Sequence, residues 1–276
     1  MKKILVPMDF SEVALNAFEH ALEFAKTVNG ELVLLYTYEL PIVDQQIFPT
    51  NSSDYLEEIE LSELELFKNE LPKLETIAKR LNLSHIPLSH KILNGDLINN
   101  IKDSVRENNI NFVVMGTAGA VGWKEIFVGT NTAEVMTSVE VPVLCVPLEA
   151  KYSKIETIGF TTRYREKDKV ALHQVLQFAK KANATVKCLY VKTEDTDNSE
   201  ETFLAWQNEF KNEPVQFFIL PSDDVKETIL SFITHQDIDV IAILTYKRSF
   251  FESLFSPSFT KKIAYNFNIP ILALHE

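Results

Sequence analysis

The chain carries one pattern twice, and this restricts its fold more than any other feature. FAKTVNGELVLLYT at 24–37 returns as FAKKANATVKCLYV at 178–191, an offset of 154 residues. VPVLCV at 141–146 returns as IPILAL at 269–274, an offset of 128. The difference of 26 residues falls where the first copy has a long acidic segment, so the second copy has a shorter crossover. Both copies alternate apolar, β-branched runs with amphipathic stretches, the signature of parallel strands joined by helices. A tandem pair of one α/β fold is expected, two doubly wound five-stranded parallel sheets related as a pseudo-two-fold pair. The halves are placed at 1–148 and 154–276, with a short polar linker between them.

In chain order, KILVPM is the first strand and Ser11 caps the following helix, whose inward face includes Val13, Ala14, Ala17, Ala21, Leu22 and Phe24. Asn29-Gly30 closes that helix, and ELVLLYTYE is the second strand. After a loop from Pro41 to Ser53, Leu64, Phe67, Leu71, Leu74, Ala78 and Leu81 mark a long helix from about Asp54 to Leu81. Pro72 is expected to kink or split it. The acidic run Glu57 to Glu65 reads as a solvated face. IPLSHKIL is the third strand, Asn94-Gly95-Asp96 caps the next helix, and Leu97, Ile98, Ile101 and Val105 face inward. In the second copy Phe203, Leu204, Trp206 and Phe210 form the packing face of the crossover.

The stretch from Phe112 to Pro147 carries the chemistry. FVVM reads as a buried strand, followed by Gly116, Gly119 and Gly129, then by Thr130, Asn131 and Thr132 opening a helix near Ala133, then by the strand VPVLCVP. Amides freed by glycines, hydroxyls and the positive end of a helix make an anion site outside the carboxyl end of a parallel strand. Each residue alone also reads as a turn or cap, with Asn131 and Glu134 forming a capping box. The spacing G-x2-G-x9-G-T-x-T directly after a strand is more specific. It is neither a Walker loop nor the G-x-G-x-x-G fingerprint.

GTAGAVGWKEIFVGT resembles the nucleotide-binding signature G-x2-G-x9-G-[ST] of the universal stress protein family, and KILVPMDFSEVALNAFEHALEFA resembles its first strand and helix. The resemblance implies the adenine nucleotide alpha-hydrolase-like, Rossmann-like fold. It also implies a site residue by residue. Pro7 and Asp9 lie at the end of strand one beside adenosine, and Thr37 at the end of strand two lies against adenine. Met115, Gly116, Ala118 and Gly119 wrap ribose and phosphate. Gly129, Thr130, Asn131 and Thr132 hold the outer phosphates. Members often carry histidine at position 118 and a basic residue at 120, where this chain has Ala118 and Ala120. Weaker triphosphate binding follows, with AMP or ADP competing with ATP. The expected ligand is ATP or another adenine nucleotide, with or without Mg2+.

At the offset of 128, Gly116, Gly119 and Gly129 become Leu244, Lys247 and Pro257, while Thr130 and Thr132 become Ser258 and Thr260. Asp9, at the offset of 154, becomes Arg163. Leucine and lysine are expected to be excluded from a φ > 0 position and to fill phosphate space, and proline removes a donor. The second half therefore keeps the fold and loses the pocket chemistry. Lys247, Arg248 and Arg163 read either as a replacement anion site or as a solvated loop with Phe250 and Phe251 at an interface.

A formal charge of −12 argues against nucleic acid and membrane surfaces as partners. No apolar run spans a bilayer and no cleavage site follows the opening Met1-Lys2-Lys3, so a cytoplasmic location is expected. Cys145 and Cys188 lie in apolar strands and read as core residues, and the six histidines form no metal motif. No base is placed in the glycine loop, although Lys124 follows it. An ATP pyrophosphatase would need an SGG-like loop where this chain has PMDFSE. A regulatory adenine-nucleotide binder is the leading reading, with slow hydrolysis left open. The alternative is a non-binding dimerisation scaffold of the same fold. The two halves are expected to pair through VPVLCVP and IPILAL within one chain, with or without further dimerisation.

Overall fold

The computed structural model describes residues 1–41, 52–117, 130–194, 200–245 and 268–275. Contacts divide the chain into two compact units, Met1–Met115 and Gly116–Glu276. The boundary falls inside a strand and not in the 149–154 linker, because contacts follow pairing partners whereas the repeat follows sequence.

In the first unit, β1 (Lys2–Pro7), β2 (Gly30–Tyr38), β3 (Leu88–Asn94) and β4 (Phe112–Thr117) lie in the order β3-β2-β1-β4, all parallel. Ile4, Leu5, Val6, Leu32, Leu34, Val113 and Val114 are fully buried, as strands covered on both faces require. Helix α1 (Glu12–Val28) is capped by Ser11, whose hydroxyl accepts from Ala14 N at 3.3 Å. It ends at Asn29 in the left-handed conformation with φ 55°. Gly30 follows because a Cβ there would lie 2.8 Å from the Lys2 carbonyl oxygen.

Helix α2 (Ser52–Arg80) runs through Pro72 without a break, contrary to the sequence expectation. Proline removes one amide donor, and the flanking turns, joined by the Thr76 hydroxyl donating to the Pro72 carbonyl at 2.7 Å, carry the helix on. Phe67 and Leu74 are its buried anchors. Helix α3 (Leu97–Glu107) is capped by Asp96, which accepts from Asn99 N at 2.9 Å, after Gly95 at φ 114°. Ile98, Ile101 and Val105 are its buried face.

The second unit contains α4 (Thr130–Ser138), β5 (Val143–Pro147), β6 (Thr157–Thr161), α5 (Glu166–Ala182), β7 (Thr185–Lys192), α6 (Glu200–Glu209), β8 (Val215–Pro221), α7 (Val225–His235), β9 (Val240–Leu244) and β10 (Ile271–Leu274). Strand order is β5-β10-β9-β6-β7-β8. The run β10-β9-β6-β7-β8 is parallel and corresponds in sequence to β5, β4, β1, β2 and β3. The fifth strand of the first repeat is β5, and the Thr117 hydroxyl at the end of β4 donates to the Val146 carbonyl at 3.5 Å. The fold is thus two copies of a five-stranded parallel α/β sheet.

The repeat holds to the residue. Helices α1 and α5 are 17 residues each and end at Asn29 and Asn183, both at φ 55°. Strand β5 pairs with β10 antiparallel, with Cys145 opposite Ile271, Leu144 opposite Leu272, and Val143 opposite Ala273. In α6, Trp206 and Phe210 are buried as expected, but Leu204 is 54% exposed, because its position turns out of the stripe. Cys145 and Cys188 are fully buried free thiols, and burial pushes both thiol pKa values up.

Candidate functional site

Strand β1 ends at Pro7, where Met8 N still donates to the Leu35 carbonyl at 2.9 Å. The next residue, Asp9, is exposed, and its Oδ1 accepts from Ser11 N at 3.0 Å and from the Ser11 hydroxyl at 2.6 Å. The same hydroxyl oxygen caps α1, so the helix start fixes the carboxylate. Asp9 Oδ2 accepts no hydrogen bond among the described residues and keeps its acceptor capacity toward solvent.

The β1–β2 register sets Val6 opposite Leu34 and Pro7 opposite Leu35. In a parallel ladder alternate residues bond to alternate sides. The Leu35 carbonyl bonds to Met8, whereas the Tyr38 carbonyl accepts from Gly95 N on the β3 side at 2.8 Å. Thr37 therefore turns its N–H and C=O toward the β1 side, beyond the last β1 pairing, where no backbone partner meets them among the described residues. This leaves one donor and one acceptor beside Asp9, at the carboxyl edge of the sheet.

Tyr36 and Tyr38 flank Thr37 and occupy the other face of β2. Tyr36 donates through its hydroxyl to Glu63 at 2.6 Å and Tyr38 to Glu60 at 2.7 Å. Burial, reinforced by those carboxylates, pushes both phenol pKa values up to about 12. The acidic run on α2 is therefore not only a solvated face. The available signal was two tyrosines at i and i+2 in a strand and two glutamates at i and i+3 in a helix.

Continuing the β1–β4 register from Leu5 and Val113 brings Met115 opposite Pro7. Met115 is 5% exposed. The strand runs two residues further than its apolar core suggests, so Gly116 and Thr117 are strand residues. Among the described residues the one glycine at positive φ is Gly95, which corrects the expectation that Gly116 is needed for a φ > 0 turn. Backbone conformation is therefore not what Leu244 changes at that place.

Helix α4 starts at Thr130, earlier than the sequence suggests, and Asn131 lies inside its first turn. A capping box from Asn131 to Glu134 does not form, since a cap residue stands outside the helix. Thr132 is 3% exposed and its hydroxyl donates to the Gly116 carbonyl at 3.1 Å. Its single proton ties the helix start to the end of β4. Ala118, Gly119 and Gly129 lie outside the described residues, as do Ala120, Lys124, Lys247, Arg248, Phe250, Phe251, Pro257, Ser258 and Thr260. Among the described residues there is no group of three or more histidines, cysteines or carboxylates able to hold a metal. No described helix is long and apolar enough to cross a membrane.

The second repeat builds the same turn from other atoms. Arg163 is exposed at the place of Asp9. The carboxylate now comes from inside α5, where Asp168 is 1% exposed. Its Oδ2 accepts from the Thr162 hydroxyl at 3.0 Å, from Arg163 N at 2.5 Å and from Arg165 N at 3.3 Å. That Oδ2 is taken up by the turn it stabilises, while the buried Oδ1 lies 3.7 Å from the Arg165 guanidinium.

Residues 1–147 match the universal stress protein family, and the chain belongs to that family. It is 30% identical over 146 residues to universal stress protein MJ0531 of Methanocaldococcus jannaschii, covering 52% of this chain and 81% of that protein. It is 31% identical over 153 residues to universal stress protein MJ0577 of the same organism, covering 52% and 94% respectively. Over the full length, a crystal structure of a universal stress protein from Archaeoglobus fulgidus shares the fold at 17% identity, with a TM-score of 0.74 and coverage of 99% of this chain and 98% of that one.

Proposed function

We propose that the first repeat, residues 1–148, binds an adenine nucleotide, and that the chain acts in the cytoplasm through this binding as a regulator and not as a catalyst. The observation that supports this reading most is the backbone donor and acceptor of Thr37, unpaired among the described residues and level with Asp9 when the β1–β2 register is continued. Adenine offers a donor amine next to a ring-nitrogen acceptor, the complement of one backbone C=O and N–H. A carboxylate oxygen accepts from ribose hydroxyls. The G-x2-G-x9-G-T spacing that begins at Gly116 supplies the phosphate end of the reading. Thr132 serves there as a positioning residue for Gly116. Any Mg2+ would arrive on the phosphates of the ligand, since the described residues provide no cradle for it.

The second repeat, residues 154–276, is read as a fold without that chemistry. One nucleotide per chain is therefore expected. Mass spectrometry of small molecules released from the purified, denatured protein identifies the ligand, and calorimetry with ATP, ADP, AMP and adenosine ranks them. A protein that carries no nucleotide and binds none of the four is a scaffold. The burial of Asp168 inside its own turn and the paired strands β5 and β10 would suit that second reading.

A further inference from the structure

Asp9 and Thr37 are each one residue away from a side chain anchored on α2. Phe10, which follows Asp9, packs with its ring centroid 5.9 Å from that of Tyr36 and 5.6 Å from that of Phe67 on α2. Tyr36 and Phe67 are themselves 5.6 Å apart. Phe10 sits at φ 61°, a left-handed conformation that a phenylalanine keeps only when its surroundings hold it. On either side of Thr37, Tyr36 and Tyr38 reach Glu63 and Glu60.

Helix α2 is lightly held. Phe67 and Leu74 are the fully buried side chains described in its 29 residues. Residues 52–66 carry six carboxylates and no cation, so this half of the helix gains from each phenol that donates to it.

Aromatic packing of a helix on a sheet is ordinary, and the second repeat separates packing from the rest. Tyr164, at φ 55°, stands in the place of Phe10, and Tyr190 in the place of Tyr36. Tyr164 lies 5.2 Å from Tyr190 and 5.0 Å from Trp206 on α6. The aromatic contact is therefore common to both repeats. The phenol–carboxylate pairs are not: the Tyr190 hydroxyl is buried without a hydrogen-bond partner among the described residues, and Lys192 replaces Tyr38. Among the described residues, the pairs occur in the repeat that has Asp9 and not in the repeat that has Arg163.

We propose that α2 is a latch coupled to the base and ribose end of the site: ligand held by Asp9 and Thr37 tightens the docking of α2, and docked α2, acting through Phe10, Tyr36 and Tyr38, holds both residues in binding geometry. This inference rests on the adenine-nucleotide reading. Coupling of this kind is reciprocal, so it is measurable from either end.

The experiment is amide hydrogen exchange on the full chain with and without saturating adenosine, with calorimetric affinities measured in parallel. Wild type is compared with the double variant Tyr36→Phe/Tyr38→Phe and with Glu63→Gln, and circular dichroism verifies folding. Adenosine is expected to slow exchange across 60–74 at least about threefold in wild type. Without ligand, the double variant should exchange at least about tenfold faster there, since even one of the two lost charge-assisted hydrogen bonds accounts for that much. Its adenosine affinity should fall about threefold to tenfold. Glu63→Gln, which keeps the volume of the side chain, should move both readouts in the same direction by less. Adenosine binding that leaves exchange across α2 unchanged overturns the latch and leaves the site reading standing. Unchanged affinity in both folded variants overturns it too. Absence of adenosine binding to wild type overturns the site reading, and the latch falls with it.

Discussion

Leu144 lies opposite Leu272 in the β5–β10 ladder, and the two are the same position of the repeat, 128 residues apart. Cys145 then faces Ile271, which is the counterpart of Val143, and Val143 faces Ala273, the counterpart of Cys145. The ladder has a local two-fold between the two leucines. Each side chain is nearly buried, at 5% and 3% exposure, in equivalent surroundings. Leu144→Ala and Leu272→Ala should each destabilise the protein by about 2–5 kcal/mol, and by similar amounts. Urea unfolding of both variants measures this, and a large difference between them would mean that the seam is not symmetric in energy.

Asp9→Ala should weaken adenosine and ATP alike, by about tenfold to a hundredfold, because one charge-assisted contact to the sugar is lost. Gly129→Pro copies the second repeat at the phosphate end and should weaken ATP far more than adenosine. Calorimetry of both ligands against both folded variants reads the difference. Equal losses for the two ligands in Gly129→Pro would exclude a phosphate at that turn.

Titration with ATP should saturate at about one nucleotide per chain, since Arg163 and Leu244 replace Asp9 and Gly116 in the second repeat. Two equivalent sites would restore Lys247 and Arg248 as ligand residues.

His20, on α1, is 4% exposed, and desolvation holds its pKa below the usual value of 6.5. The fold therefore favours neutral imidazole, and the unfolded chain binds the extra proton first. This contribution is complete above the unfolded pKa and is lost as pH falls through the folded one. The urea midpoint should decline from pH 7 toward pH 5, and His20→Leu should make that decline shallower. His275, also lowered by burial, adds a decline of the same sign.

Neither cysteine should react with a thiol reagent in the native state, because Cys145 and Cys188 are buried and burial disfavours both thiolates. Both should titrate once denaturant is added. Fast labelling of native protein would contradict the packing of β5 or β7.

Local signals were legible in the sequence wherever one backbone geometry has one chemical solution. Ser11 caps α1, Asp96 caps α3, and Asn29 and Asn183 end their helices in the left-handed conformation. The repeat carried the topology, since a strand order worked out for one copy applies to the other. What periodicity could not supply was anything decided between elements. Pro72 looked like a break because the turns that hold α2 together are not visible in one residue's propensity. Gly116 looked like a turn residue because the apolar run ends before the strand does. The pairing of Tyr36 with Glu63 joins residues 27 apart and depends on which face of α2 meets the sheet. In the candidate site, Asp9 and Thr37 were proposed through resemblance, but that the Thr37 amide has no backbone partner among the described residues depends on where β1 stops relative to β2.

The β5–β10 ladder also has a consequence for synthesis. Val143 is translated 128 residues before Ile271, an interval of roughly 6–25 seconds at ordinary elongation rates. During that time β5 is an apolar strand with its mate not yet made. Because the seam is self-complementary, a neighbouring nascent chain on the same messenger offers β5 an equally good edge. The order in which the two repeats leave the ribosome thus becomes a competition between folding within one chain and pairing between two.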